Sequence, residues 1–156
     1  MNIKYVEKDK SQLDIVHPLW EKIKEHHRAR SIHFKEQFDA TTWEIRKKQI
    51  LDKADGGALL VHLAMNNDTG NFIGYCVTSI DGDNVGEIES IFIEADYRRV
   101  GIGNAFMQRA LEWMKSYGVK RKVIAVAAGN EEVFGFYAKY NFYPRISVLM
   151  QPEEKS

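Results

Sequence analysis

Two glycines two residues apart, Gly101 and Gly103, precede a stretch of helical periodicity, and no other feature of the sequence is better suited to holding a ligand. Without side chains there, backbone N–H groups can approach and converge on an anion, and the helix dipole adds partial positive charge at the same end. A pyrophosphate suits such a cradle. The third glycine of a dinucleotide fingerprint would fall at Phe106, and no Lys-Ser/Thr pair follows to make a P-loop. Just upstream, Glu87 and Glu89 lie two apart. On a strand that spacing puts both carboxylates on one face and Ser90 on the other, unless a bulge intervenes. Carboxylates so placed can accept protons, orient a cationic substrate, or pair with a neighbouring Lys or Arg. His26, His27 and His33 form a third group. On a helix His26 and His27 point about 100° apart and do not share a metal, no further ligands are spaced for zinc, and no metal site is expected. Cys76, in mid-strand, reads as a small buried apolar side chain.

The elements that must position these groups alternate in period. Ile3 and Tyr5 flank Lys4, predicting a short strand near 2–7. Ser11 is a candidate N-cap, and Val16, Leu19, Trp20, Ile23 and His27 recur at helical steps to about Arg30, with Pro18 either kinking or restarting the helix. Residues 31–40 read as an irregular connection. Thr41 with Glu44 three residues on is a capping-box pattern that opens a second helix to about Leu51. Segments 58–65 and 72–80 predict a hairpin across the turn formers Asn66 to Asn71, and a third strand runs from Gly86 to Ile93. Gly101 to Tyr117 carries Ile102, Phe106, Ala110, Trp113 and Met114 on one helix face. Val123 to Ala128 predicts a strand buried on both faces and paired in parallel, followed by a short helix over 131–140 and a last strand over about 142–150. The fold class is α/β with a mixed sheet, in one domain over 1–156.

Composition narrows the function classes. The 156 residues carry 22 Lys+Arg against 22 Asp+Glu and one cysteine. That balance argues against a nucleic-acid binder or a polybasic membrane adaptor, since both neutralise phosphates with clustered cations. A single thiol cannot close an internal disulfide, and residues 1–20 hold no signal-peptide apolar region, so a reducing, cytoplasmic setting is expected. No apolar run approaches the roughly 18 residues needed to span a bilayer.

Taken in order, Arg98-x-x-Gly101-x-Gly103 after a strand, Asn130 after a second strand, and Phe136-Tyr137-x-Lys139-x-Asn141-Phe142 closely resemble the GNAT family of acetyl-CoA-dependent N-acetyltransferases. The resemblance covers 86–150 by motif and 1–80 only in the order of elements. It implies a central, mostly antiparallel sheet with one splayed parallel strand pair, flanked by about four helices. It also implies that Arg98 and the backbone of Arg99, Val100, Gly101, Ile102, Gly103 and Asn104 hold the pyrophosphate of acetyl-CoA. The strand edge Ile91-Phe92-Ile93 would pair with the pantetheine arm. Asn130 would cap the following helix and bond the same arm beside Val133, and Lys139 and Arg99 would approach the phosphates. Asn141 stands where the family usually has Gly, and Ala95 where Pro is common. Asn tolerates the left-handed conformation, so that turn can survive.

Acetyl transfer to an amine needs a neutral nucleophile, whereas an alkylammonium has a pKa near 10.4. The resemblance matches Glu89 to the base, with Glu87 or a group acting through water as alternatives, and Tyr137 to the acid that protonates the leaving thiolate. It makes Glu87, His27, His33, Phe34 and Phe38 candidates for the acceptor side. The implied reaction moves an acetyl group from acetyl-CoA directly to a primary amine of a small molecule, such as a polyamine or amino acid, or of a peptide. A CoA-binding regulatory or sensor module without turnover is the alternative. A homodimer is the family's habit.

Overall fold

Period-2 apolar patterns give the sheet two buried faces. The computed structural model describes residues 2–154. Its strands are Ile3–Lys8 (β1), Ala58–Asn66 (β2), Asn71–Ile80 (β3), Val85–Ile93 (β4) and Arg121–Ile124 (β5), in that order across one sheet. β1 to β4 are antiparallel neighbours, and β4 and β5 pair in parallel from Val85↔Arg121 to Ile88↔Ile124. Leu59, Val61 and Leu63 of β2 and Tyr75 and Val77 of β3 face one core, which Trp20, Trp43 and Ile50 fill. Ala64, Cys76, Ile80 and Ile88 face the other, with Ile102, Phe106, Met107, Ala110 and Met114.

The helices are His17–Arg30 (α1), Lys35–Ala40 (α2), Trp43–Ala54 (α3), Ile102–Ser116 (α4) and Phe134–Ala138 (α5). The amphipathic stripe predicted for α4 is buried at Ile102, Phe106, Ala110 and Met114 and joined by Met107, while Trp113 is half-buried. Pro18 restarts rather than kinks: a 3-10 segment over Lys10–Val16 gives way to α1, with Pro18 in its first turn, where a missing N–H costs nothing. Asp9, not Ser11, caps that segment, accepting a hydrogen bond from the Ser11 N–H at 2.8 Å. Thr42 rather than Thr41 is the N-cap of α3, its hydroxyl accepting from the Ile45 N–H at 3.3 Å. The connection 31–40 contains α2.

Two strand expectations are corrected. The apolar run 123–128 is strand only to Ile124, and its residues are half-buried or exposed. The parallel ladder ends at Ile88, so 125–128 have no β4 partner. Segment 142–150 forms no strand: Pro144 lacks an N–H, and the segment pairs with no edge of its own sheet. The predicted helix over 131–140 splits into a 3-10 turn, Glu131–Val133, and α5. Among the described residues no helix is long and apolar enough to cross a membrane.

Candidate active site

Across β3, Val77 pairs with Ser90 while Thr78 pairs with Ile88, so Glu89 is the extra residue of a bulge in β4. The insertion turns Glu89 and Ser90 to the same face, toward α3. Ser90 Oγ lies 2.6 Å from the Tyr75 hydroxyl, and the Ser79 hydroxyl donates to Glu89 at 2.6 Å. The bulge is also where the parallel ladder stops. Beyond Ile88 the strands part, and the β4 edge along Ile91-Phe92-Ile93 has no β5 partner.

The Glu89 carboxylate is fully covered, with a side-chain exposure of 0%. Arg46 of α3 donates to its carbonyl at 2.8 Å and to Oε1 at 3.3 Å, while Lys53 Nζ stands 3.2 Å from Oε2. Lys53 also donates to Glu87 Oε1 at 3.0 Å. Burial, then the adjacent charge of Glu89, pushes the Glu87 carboxyl up, against the pull of Lys53. Burial pulls Lys53 down, but its hydrogen bond to Glu87 and the two carboxylate charges outweigh that, leaving the ammonium above its ordinary value. Two cations thus face two carboxylates in a closed cluster.

At the other end of β4 the chain builds an anion cradle. Arg98 Nε donates to the Ile93 carbonyl at 3.0 Å, fixing the strand end. Arg99 and Gly101 take left-handed backbone, φ 65° and 92°. For Gly101 that conformation requires the absence of a side chain. Gly101 is the N-cap of α4, with no side-chain cap and no acidic residue in the first turn, so the opening amides are left for an external acceptor. A Cβ on Gly103 would stand 3.2 Å from the Phe136 ring, so this glycine lets α5 approach. The Tyr140 hydroxyl donates to Asn104 Oδ1 across the same contact.

Between the parted strands lies a cleft lined by Glu89, Ser90, Ile91, Asn130, Val133 and Tyr137, with Ile23 and His27 from α1. Burial pushes the Tyr137 phenol up to about 12. Burial, then His26 and Arg30, holds the His27 imidazole below its ordinary value. Phe38 stands 6.1 Å from that imidazole, centroid to centroid. Asn130 occupies the N-cap position of the 131–133 turn, but its side chain makes no capping bond; its Oδ1 lies 3.4 Å from His26 Nε2. Asn141 takes the left-handed conformation, φ 66°.

The structure therefore brings Glu89, Ile91, Asn130, Val133, Tyr137 and His27 into one cleft and leaves Glu87, His33, Phe34, Phe38 and Lys139 off its wall. His33 and Lys139 are exposed. Arg46, Lys53 and Ser79, which hold Glu89, escape sequence reasoning, since no local pattern marks which cation a fold delivers to a distant carboxylate. Ile23 was read only as part of the apolar helix stripe it shares with His27.

Comparison with known proteins agrees with this geometry. A family model described as acetyltransferase (GNAT) family matches residues 19–142. The chain is 26% identical over 117 residues to a mycothiol acetyltransferase of Propionibacterium freudenreichii, covering 73% of this chain and 36% of that protein. It spans about a third of the length of the curated relatives it matches. Among solved structures it resembles the aminoglycoside N-acetyltransferase AAC(6')-Iy in complex with a CoA bisubstrate analogue, with a TM-score of 0.64 at 18% identity, covering 99% of this chain and 100% of that one. A Clostridium acetobutylicum acetyltransferase solved with acetyl-CoA has a TM-score of 0.66 at 14% identity, covering 96% and 95%. The matched span takes in the β4 bulge, the glycine-opened start of α4 and the Tyr137 helix, and on that match the chain belongs to the GNAT acetyltransferase family.

Proposed function

We propose that the chain transfers an acetyl group from acetyl-CoA to the primary amine of a small molecule or peptide, directly and without a covalent enzyme intermediate. The observation that carries this reading is a single strand, β4, that joins both halves of the chemistry. One end leads to an uncapped helix start suited to a pyrophosphate, and its bulge opens the cleft that Tyr137 lines. In this reading the amides from Arg99 to Asn104 hold the phosphates of acetyl-CoA, and the free edge Ile91-Phe92-Ile93 pairs with the amides of the pantetheine arm. A backbone N–H on that edge meets the oxyanion, and Tyr137 protonates the leaving thiolate. Glu89, its oxygens already taken by Ser79, Arg46 and Lys53, acts by holding the bulge. Similarity to a mycothiol acetyltransferase and an aminoglycoside N-acetyltransferase supports a small-molecule acceptor.

Calorimetry and a turnover panel test this. Acetyl-CoA is expected to bind far more tightly than ATP or NAD, and CoA release is expected with at least one of spermidine, neamine, an amino-acid amide or a peptide α-amine. Failure to bind acetyl-CoA overturns the reading. Binding without turnover of any amine makes the chain a CoA sensor module instead.

We also infer that the chain works as a homodimer. Within 142–150, Ile146, Val148 and Leu149 are 73%, 82% and 92% exposed, and β5 ends the sheet with one edge unpaired. Each copy therefore carries both an apolar segment lacking a partner strand and a vacant edge, and two copies can satisfy each other symmetrically.

A further inference from the structure

Backbone amides from Arg99 to Asn104 can hold a pyrophosphate only if the loop that carries them is itself held in place. Resting on the reading above, we propose that Tyr97 is a positioning residue for acetyl-CoA: its hydroxyl, bonded to Asn66 at the end of β2, sets the position of the phosphate cradle. Of residues 95–101, only Tyr97 is not exposed. Its ring packs against the core on the α4 side of the sheet. Asn66 is buried, and both polar atoms of its side chain are engaged. Oδ1 accepts from the Asp68 N–H at 2.9 Å, which leaves Nδ2 to donate to the Tyr97 hydroxyl at 2.8 Å.

The other bonds of this segment are local. The Tyr97 and Arg98 N–H groups close a 3-10 turn onto the Glu94 and Ala95 carbonyls at 2.9 and 3.3 Å, and Arg98 Nε returns to the Ile93 carbonyl of β4. Among the described residues, the Asn66–Tyr97 bond is the one hydrogen bond that ties 95–101 to an element other than β4 or α4. Glu94, just before the loop, is fixed separately: its N–H donates to the Ile73 carbonyl at 2.8 Å and its carboxylate pairs with Lys22. Support is needed further along. Two residues after Tyr97, Arg99 holds left-handed backbone at φ 65°, which a non-glycine residue keeps only where its surroundings enforce it.

An anchor at this point acts on one part of the cofactor. Amides stabilise an anion only while they converge on it, so a small displacement of the loop weakens the phosphate contacts. The Ile91-Phe92-Ile93 edge that pairs with the pantetheine arm is set by its register with β3, from Cys76↔Ile91 to Gly74↔Ile93, and not by the loop. Loss of the Tyr97 hydroxyl therefore weakens a donor that carries the pyrophosphate and spares one that lacks it.

The test compares the wild-type protein with Tyr97→Phe, a variant that keeps the ring and loses the hydroxyl. With acetyl-CoA, the calorimetric Kd and the KM are expected to rise about three- to tenfold while kcat stays within about twofold. With S-acetylpantetheine, the thioester arm without the pyrophosphate, kcat/KM is expected to stay within about twofold. In an Asn66→Ala background, Tyr97→Phe is expected to add no further loss, because its partner is already gone. Unchanged acetyl-CoA affinity, equal losses with both donors, or additive losses in the double variant overturn the proposal. Should Tyr97→Phe fold poorly, Asn66→Ala is measured with the same two donors; the same selective loss supports the anchor, and its absence overturns it. If the wild-type chain binds acetyl-CoA but turns over no amine, the calorimetric comparison of the single and double variants decides. A wild-type chain that does not bind acetyl-CoA defeats the acetyltransferase reading itself, a different outcome from any of these.

Discussion

The surroundings of Tyr137 bear directly on the acid role proposed for it. A phenol near 10 is close to a thiol in acidity, yet burial pushes this one up to about 12. A raised phenol pKa extends the protonated form to higher pH, so the proposed acid keeps its proton across the whole range in which an amine acetyltransferase would be assayed. Tyr137→Phe is therefore expected to lower kcat about 10²-fold with acetyl-CoA affinity nearly unchanged, and the wild-type pH profile is expected to show no descending limb from this phenol below pH about 10. A limb in that range that disappears in the Phe variant would mean that the hydroxyl is far better solvated than its burial implies. Glu89 was legible as one of two carboxylates on a strand, whereas Tyr137 and His27 were candidates through the family resemblance. What separates their roles was not legible. The availability of a carboxylate depends on partners 10, 36 and 43 residues away in sequence.

Among the elements, β4 does most of the positioning, and it does so through one inserted residue. The strand itself was legible from Gly86 to Ile93, within one residue of its observed start, because half-buried antiparallel strands show period 2. The bulge was not, since the adjacent polar pair Glu89-Ser90 interrupts the alternation but only the β3 register shows which residue is inserted. The strand over 142–150 failed for the complementary reason: its apolar, β-branched residues suit a strand, but pairing is a property of two edges. If the α3 clamp holds the bulge, Glu89→Ala should leave Arg46 and Lys53 without their buried partner. Both cations keep some access to water, so the expected loss is on the order of 2 kcal/mol rather than the full cost of a stranded buried charge, or roughly 4–8 °C in melting temperature. An unchanged melting temperature would show that the bulge is held by packing alone. At the opposite end of β4, Gly101→Arg forces a side chain into φ 92° backbone, at about 1–2 kcal/mol, and distorts the amide cradle. Acetyl-CoA affinity measured by calorimetry should fall by roughly tenfold or more; normal binding would remove the cradle from the argument.

At the scale of the whole molecule, the even balance of 22 basic against 22 acidic residues fits a protein that handles a polyanion through backbone amides at one helix start rather than through surface charge. The same economy does not extend to its apolar surface. A segment with side chains as exposed as Val148 and Leu149 is unusual outside an interaction surface. The neutral net charge offers little electrostatic repulsion to keep two copies apart. If the segment from one copy adds to the β5 edge of another, the chain should run as a dimer in light scattering at micromolar concentration. Val148→Asp with Leu149→Lys should shift it to monomer without lowering acetyl-CoA affinity, because neither residue lines the cleft or belongs to the loop that opens α4. A wild-type chain that is monomeric under those conditions, or a charged variant that stays dimeric, would show that the segment is covered in some other way.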